Sequence, residues 1–329
     1  MVTRETDSSY DVVVIGGGAA GLSGALMLAR ARRSVLVVDA GRPRNAPADG
    51  VHGLLAREGM APGGLLERGR AEVGSYGGRV VTGEVTAVRR QDAGFLVTLA
   101  DGSSVAARRL LVTAGLVDEL PDVPGLRERW GGDVLHCPYC HGWEVRDRAV
   151  GVLATGPMSV HQALLLRQWS EDITYFTHTG PAPDAEQAEQ LAARGIRVVP
   201  GPVTAIEPLE VIGSSSLAVR LVGGRAVGRD AVAVAPRMVA RAGFLADLGL
   251  QPVDHPSGMG QHLPADTVGR TDVPGVWVAG NVTDLSAQVG TAAAQGAVAG
   301  AQINAELVAE ETRDAVAKYR AQQGGSTDG

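Results

Sequence analysis

Short β-branched runs alternate with stretches of helical spacing along most of this chain, the pattern of an α/β protein built on parallel sheets. The first run, Asp11-Val12-Val13-Val14-Ile15, is apolar on both faces, as a strand covered on both sides must be. Gly16-Gly17-Gly18-Ala19-Ala20-Gly21 follows. A helical stretch from Leu22 to Arg30 then sets Leu22, Leu26 and Ala29 on one face, and a strand from Ser34 to Val38 ends at Asp39. From Arg57 to Gly74 the spacing is helical, broken by loop glycines. From Arg79 to Leu99, alternation at Val81, Val85 and Val88 and then at Phe95, Val97 and Leu99 predicts a β-meander, with Asp101-Gly102 as a turn. Arg109 to Val112 predicts another strand, ending in Thr113-Ala114-Gly115, and Pro121 to Gly125 reads as a crossover linker.

The second half repeats the opening plan. A strand over Ala149 to Leu153 runs into the turn Ala154-Thr155-Gly156-Pro157-Met158-Ser159, a helix from about Val160 to Trp169 and a strand from Ile173 to Phe176. Near the end, Val276-Trp277-Val278-Ala279-Gly280-Asn281 predicts a buried strand. Gln288 to Gln302 is rich in small residues, which predicts a helix packed closely on a cofactor or on another helix. From Gln322 onward the tail is polar and glycine-rich and is expected to be disordered.

Length and composition narrow the class. A chain of 329 residues accommodates two domains of ordinary size. With 45% apolar and 20% charged residues, and no apolar run of the roughly 18 to 20 residues needed to cross a bilayer, it is not expected to be a membrane protein. A net charge of −6 argues against nucleic acid or an anionic membrane as partner. Met1 to Ser9 is polar and of mixed charge, without the pattern of a secretory signal, so a cytoplasmic location is expected.

Two constellations carry chemistry. The first is the opening strand, G-x-G-x-x-G turn, helix and strand, closing on Asp39 about 20 residues downstream, the dinucleotide-binding fingerprint. Gly16 permits the tight turn, Gly18 lets a pyrophosphate approach the backbone, and Gly21 allows close helix packing, while Asp39 would take the ribose hydroxyls. The second is His136-Cys137-Pro138-Tyr139-Cys140-His141, which holds both cysteines of the chain. Two thiols two residues apart can close a small disulfide ring, and a neighbouring imidazole can activate one of them. In the second strand-turn-helix unit, by contrast, the first glycine is replaced by Ala154 and the last small position by Ser159. Pro157 removes a backbone N–H from the turn that would cradle phosphate, and Thr177 to Pro181 offers no arginine cluster for the extra phosphate of NADPH.

With these residues assembled, the chain resembles the low-molecular-weight thioredoxin reductases over about residues 10 to 310. The order of motifs is the FAD fingerprint, a strand ending in an Ala-Thr-Gly-like Thr113-Ala114-Gly115, a central part opening with a CxxC, and a second FAD segment ending at Gly280-Asn281. Within that family, His-Cys-Pro-Tyr-Cys-His-Gly-Trp-Glu and the degenerate Ala154 to Ser159 turn resemble most the FAD-dependent dithiol oxidases of holomycin- and gliotoxin-type biosynthesis. The resemblance implies an α/β fold of two Rossmann-like domains. The FAD-binding domain would be discontinuous (residues 1–118 and 244–329), and the central NADPH-type domain (119–243) would be degenerate. It implies FAD lined by Gly16, Gly18, Ala19, Ala20, Gly21, Asp39, Ala40, Gly41, Asn45, His52, Val85, Thr113, Ala114, Gly115, Gly280, Asn281, Gln288 and Val289. Asn281 stands where the family has an aspartate. No metal is implied.

The activity implied is oxidation of a small-molecule dithiol to its intramolecular disulfide, with electrons passing through the cysteine pair and FAD to O2 to give H2O2. A substrate thiolate would attack Cys137, and Cys140 would lie next to the flavin. His141, where the reductases carry an acid, is assigned general base for the thiols, and His136 is the second candidate. Homodimerisation is implied by the family, and the alanine-rich stretch near residues 292 to 301 permits it. Trp143 and Met238 are expected in the core. Cys-Pro-Tyr-Cys also matches the glutaredoxin active site, but here it follows some 130 residues of flavoprotein pattern. A zinc site from His136, Cys137, Cys140 and His141 is sterically awkward, because adjacent residues point apart. Reduction of a thioredoxin, with NADPH or a donor such as ferredoxin, uses the same cysteines in the opposite direction. A non-catalytic flavin redox sensor is the alternative outside enzymes.

Overall fold

The computed structural model describes residues 9–324 apart from 93, 212 and 213. Strand β1 (Ser9–Ile15) buries Val12, Val13, Val14 and Ile15, and helix α1 (Ala19–Arg30) returns the chain to β2 (Val35–Asp39), which pairs with β1 in parallel. Helix α2 (Pro62–Ser75) leads to β3 (Arg79–Thr82), then β4 (Val85–Gln91), β5 (Gly94–Leu99) and β6 (Ser104–Val112). The strand order is β3-β2-β1-β6-β5-β4, and Val276–Val278 joins β6 as a seventh strand. Successive residues point to opposite faces of this sheet. Val13, Ile15, Leu36 and Val38 sit in one apolar cluster and Val12, Val14, Val35 and Val37 in another, as the uninterrupted apolar runs require.

The predicted meander over residues 79–99 is corrected here. β3 lies at the opposite end of the sheet from β4, paired in parallel with β2, and the true meander is β4-β5-β6. The crossover helix α2 delivers β3 alongside β2 in parallel, whereas the short connections after β4 and β5 return β5 and β6 antiparallel to their predecessors.

Strand β7 (Leu116–Glu119) leaves the first sheet, and β8 (Val134–Leu135) enters a second. After the one-turn helix α3 (Pro138–His141) come β9 (Val150–Leu153), α4 (Ser159–Leu166), β10 (Ile173–Phe176), α5 (Ala185–Ala193) and β11 (Arg197–Val199). The antiparallel set β12 (Val203–Val211), β13 (Ser214–Leu221) and β14 (Ala226–Arg229) follows, and β15 (Ala231–Val234) completes a parallel five-stranded sheet of order β11-β10-β9-β15-β8. The fold is therefore mixed α/β with two Rossmann-like units, the second inserted into the first. Strand β16 (Arg237–Ala240) pairs back to β7 and to β18 (Gly260–His262), which also takes β17 (Val253–Asp254). Strand β19 (Val276–Val278) then closes the first sheet.

The chain ends in α6 (Val289–Gly324), a helix far longer than the one predicted over Gln288 to Gln302. Its first half packs on α1 at glycines. A Cβ at Gly300 would come within 2.7 Å of the Gly24 carbonyl oxygen, and one at Gly296 would run into the Ala20 carbonyl. The small residues near 292 to 301 thus serve contact with α1 inside the chain. Farther on, Arg109 Nε donates to Glu306 at 2.7 Å, Arg108 pairs with Glu310 at 2.9 Å and Arg33 with Glu311 at 2.5 Å. These pairs hold the helix against the sheet, and it runs on through Gln322 and Gln323 to Gly324, so the tail expected to be disordered from Gln322 begins as helix. Residues 325–329 lie outside the described residues. Among the described residues, no helix is long and apolar enough to cross a membrane.

Candidate active site

One cavity of about 970 Å³ runs between the fingerprint turn, the cysteine pair and the start of α6. Its first wall is the turn after β1. Gly16 has φ +108°, and a Cβ there would strike the Thr113 carbonyl, so only glycine makes this approach. Thr113 Oγ1 holds the turn by donating to the Ile15 and Gly16 carbonyls at 3.1 and 2.8 Å. Gly18 caps α1 with no side-chain hydrogen bond, and a Cβ on it would meet nothing within 4 Å. The amides at the start of this 12-residue helix therefore face an open cradle, which fits a pyrophosphate. Asp39, at the end of β2, accepts from Gly41 N at 3.1 Å and from Arg70 at 2.9 Å.

The structure brings Gly16, Gly18, Ala19, Ala20, Asp39, Ala40, Asn45, His52, Val85, Thr113, Ala114, Gly115, Gly280, Asn281, Gln288 and Val289 to this cavity, together with all four of His136, Cys137, Cys140 and His141. Gly21 and Gly41 are not among the residues that line it. A Cβ at Gly21 would collide with the Gly16 carbonyl, so this glycine acts through packing. Asn281 donates its Nδ2 to the carbonyls of Asp284 and Ala287 at 3.0 and 2.9 Å, which ties down the loop before α6.

Cys137 and Cys140 form a disulfide, with Cα atoms 5.2 Å apart. Cys137 is the N-cap of α3 and Pro138 its first residue, a position where a missing N–H costs nothing. Cys140 N and His141 N both donate to the Cys137 carbonyl at 3.1 Å, so the turn itself fixes the two sulfurs side by side. The two histidines differ. His136 Nδ1 lies 3.3 Å from the Val234 carbonyl, and the His136 carbonyl accepts from Gln162 Nε2 at 2.7 Å. His141 Nδ1 is buried without a hydrogen-bond partner. Burial pushes both imidazoles below their ordinary value. For His136, Arg44 adds to the effect; for His141, Glu144 opposes it and His52 adds to it. His52, in turn, is held by Glu58 at 2.6 Å, and its Nε2 lies 3.6 Å from Glu144.

The turn of the second unit is closed. Ser159 Oγ accepts from Thr155 N at 3.1 Å and Gly156 N at 3.3 Å, consuming two amides that a phosphate would need, and Thr155 Oγ1 donates to the Ala235 carbonyl at 2.7 Å. Several cavity residues escaped the sequence reading. Arg44 grips Asp118 through two bonds of 2.7 Å, and Met158, His161 and Leu165 present one face of α4. The signal was there in the i, i+3, i+7 spacing, opposite the buried Val160, Ala163 and Leu166. Met238 is buried as expected, yet borders the cavity. Trp143 is not core: it is 64% exposed, with the Arg146 guanidinium over its ring.

The sequence matches the pyridine nucleotide-disulphide oxidoreductase family over residues 10–299. The thioredoxin reductase tcpT of Claviceps purpurea is 29% identical over 315 residues, 93% of this chain and 96% of that one. The thioredoxin reductase sirT of Leptosphaeria maculans is 28% identical over 312 residues, 90% of this chain and 94% of its own. Among solved structures, HlmI is similar with a TM-score of 0.87 at 45% identity, covering 98% of this chain and 99% of its own. An oxidoreductase from Agrobacterium tumefaciens gives 0.84 at 37% identity, with 91% and 99% covered.

Proposed function

This chain belongs to the pyridine nucleotide-disulphide oxidoreductase family as a thioredoxin reductase-like flavoprotein with FAD as its cofactor, and we propose that it oxidises a small-molecule dithiol to an intramolecular disulfide with O2 as acceptor. The observation that carries this reading is the pairing of a cysteine disulfide in the main cavity with a second-unit turn whose amides are already bonded to Ser159. A reductase drawing electrons from NADPH needs those amides for the cofactor's phosphates. Similarity to HlmI across the whole chain supports the same reading. The proposal takes the chain as FAD-binding parts over residues 1–118 and 244–329 around a central part over 119–243.

In this reading His141 is the base. Its neutral imidazole, favoured by burial, takes the proton of a substrate thiol, and the thiolate attacks Cys137 Sγ. A substrate–Cys137 bond forms, the Cys137–Cys140 bond breaks, and Cys140 leaves as thiolate. The second substrate thiol gives its proton to the Cys140 thiolate and attacks the substrate sulfur of the mixed disulfide, releasing Cys137 as thiolate. The substrate has then lost two electrons and two protons, and the electron pair rests on the two cysteines. The Gly16 to Gly21 turn, Asp39 and the Gly280 to Val289 segment would hold FAD, which would supply the two-electron acceptor between the cysteines and O2, for an overall R(SH)2 + O2 → R(S–S) + H2O2. His136, tied by its ring and its carbonyl, orients the cysteine turn. The reading takes the working unit as a cytoplasmic homodimer.

Oxygen uptake tests it. With a small dithiol and no NADPH, the purified protein should consume O2 and release one peroxide per disulfide formed. No uptake with any dithiol, alongside reduction of a thioredoxin by NADPH or reduced ferredoxin, would replace the oxidase by a reductase.

A further inference from the structure

A charged cluster joins the loop between β2 and α2 to the segment just after the cysteine pair. The loop closes on itself: the Val51 N–H donates to the Met60 carbonyl at 2.8 Å, and the Gly59 N–H to the Val51 carbonyl at 2.9 Å. Glu58 fixes what the loop presents. One of its oxygens lies 2.6 Å from His52 Nδ1, and the other accepts from the Gly53 N–H at 2.9 Å. With that side of the ring held, Nε2 points to Glu144, whose Oε1 is 3.6 Å away. A Cβ at Gly50 would come within 3.2 Å of the same Nε2, so glycine keeps this edge of the ring clear. When protonated, His52 can donate from both nitrogens, one toward each carboxylate.

Glu144 arrives from the cysteine side. Past α3 the helical turn runs on, with the Gly142 N–H donating to the Pro138 carbonyl at 2.7 Å and the Val145 N–H to the His141 carbonyl at 3.3 Å. Residues three apart on such a turn share a face, which sets Glu144 beside His141. Gly142 locks the turn in place, because a Cβ there would come 2.7 Å from the Trp169 ring. One carboxylate is thus common to two imidazoles: it faces His52, and it neighbours His141, whose Nδ1 is buried without a hydrogen-bond partner. The other charged or titratable groups around His141 are Asp49 and His52 from the loop after β2 and His136 from before the cysteines. Burial pushes the His141 imidazole below its ordinary value; Glu144 and Asp49 oppose that, and His52 adds to it.

We propose that Glu144 is the counter-ion of the His141 imidazolium formed when a substrate thiol gives up its proton, and that His52, anchored by Glu58, is the positioning residue that holds Glu144 ready. The inference rests on the dithiol-oxidase reading with His141 as base, and names the residues that set the strength of that base. In the step concerned the substrate S–H bond breaks, an N–H bond forms on His141, and no electrons change owner. The new positive charge then draws on the carboxylate that His52 shares. Glu144 strengthens a buried base, and the charge on His52 limits the gain, so the imidazole stays neutral until substrate arrives.

Two readouts test this on the holoprotein: the acid limb of anaerobic flavin reduction by dithiothreitol, and the titration of His141 in the oxidised protein by NMR of 15N-labelled histidine, which needs no turnover. His141→Ala identifies the resonance. Glu144→Gln removes the counter-ion at a position 44% exposed, and should move both the limb and the titration to lower pH by about half a unit or more. His52→Asn, which keeps a donor toward Glu58 without the charge, should move both to higher pH by a similar amount. Glu144→Asp keeps the charge and should hold both within about 0.3 unit of wild type. A merely structural role would lower rate or FAD content without opposite shifts. His141 titrations that coincide with wild type in Glu144→Gln and His52→Asn, or that shift in one direction in both, would overturn the proposal and leave the oxidase reading standing. Wild type whose flavin no dithiol bleaches would overturn that reading, and the proposal with it.

Discussion

Replacing His141 by alanine separates chemistry from stability more cleanly than any other change in this site. The ring nitrogen Nδ1 is buried without a hydrogen-bond partner, so its removal breaks no bond. Taking away an unsatisfied buried polar group returns about 1–3 kcal/mol, and the small cavity left behind costs a similar amount. The variant should therefore melt within a few degrees of wild type, about the shift that 1 kcal/mol produces in a protein of this size. The rate should behave otherwise. A positioned general base is worth about 10²–10⁴-fold, or about 3–5 kcal/mol of barrier. Burial holds the imidazole below its ordinary value near 6.5, so in wild type the base stays available at neutral pH and is lost only as pH falls through that lowered value. Stopped-flow reduction of the flavin by a dithiol, run anaerobically from about pH 5 to 9, reads this directly. Wild type should show an acid limb below neutrality. His141→Ala should be slower by about two orders of magnitude or more and should lose that limb, regaining rate only as the substrate thiol itself ionises at alkaline pH. A variant rate within about threefold of wild type across that range would refute the assignment.

Other expectations follow from the same geometry. His136→Ala should cost less than about tenfold in rate, because its Nδ1 is tied to the Val234 carbonyl, and the same pH series checks this. Both buried imidazoles lie below their unfolded value, so the unfolded chain binds more protons in acid; stability should be level above about pH 6.5 and fall as pH drops below it, as urea midpoints would show. Gly296→Ala would drive a Cβ into the Ala20 carbonyl, pushing α6 off α1, and should cost about 1–3 kcal/mol and loosen FAD, measured by melting and by flavin release. Ser159→Ala strips the acceptor from two turn amides and should destabilise by about 1–3 kcal/mol in a denaturant titration.

The dinucleotide fingerprint was legible because each of its residues answers a local demand: the backbone at Gly16 is open only to glycine, and Gly21 has no room for a side chain. The closed second turn was legible for the same reason, since Ala154, Pro157 and Ser159 each change what one peptide can offer. Pairing over distance was harder to read. Alternation in β3 is the same whichever neighbour it takes, and the crossover through α2 decides that it joins β2. The length of α6 was missed because its second half is held by Arg33, Arg108 and Arg109, residues some 200 to 280 positions away in sequence. His141 was picked out from its place beside Cys140, and only the folded chain distinguishes its free nitrogen from the occupied one of His136.

The central claim is that electrons enter this flavoprotein from a dithiol and not from NADPH. The most direct measurement mixes the purified protein anaerobically with each in turn and follows the flavin absorbance. The account predicts bleaching by the dithiol, none by NADPH, and recovery with peroxide when air is admitted. Rapid bleaching by NADPH, with the dithiol inert, would contradict it and show that the turn from Ala154 to Ser159 opens to a nicotinamide cofactor after all.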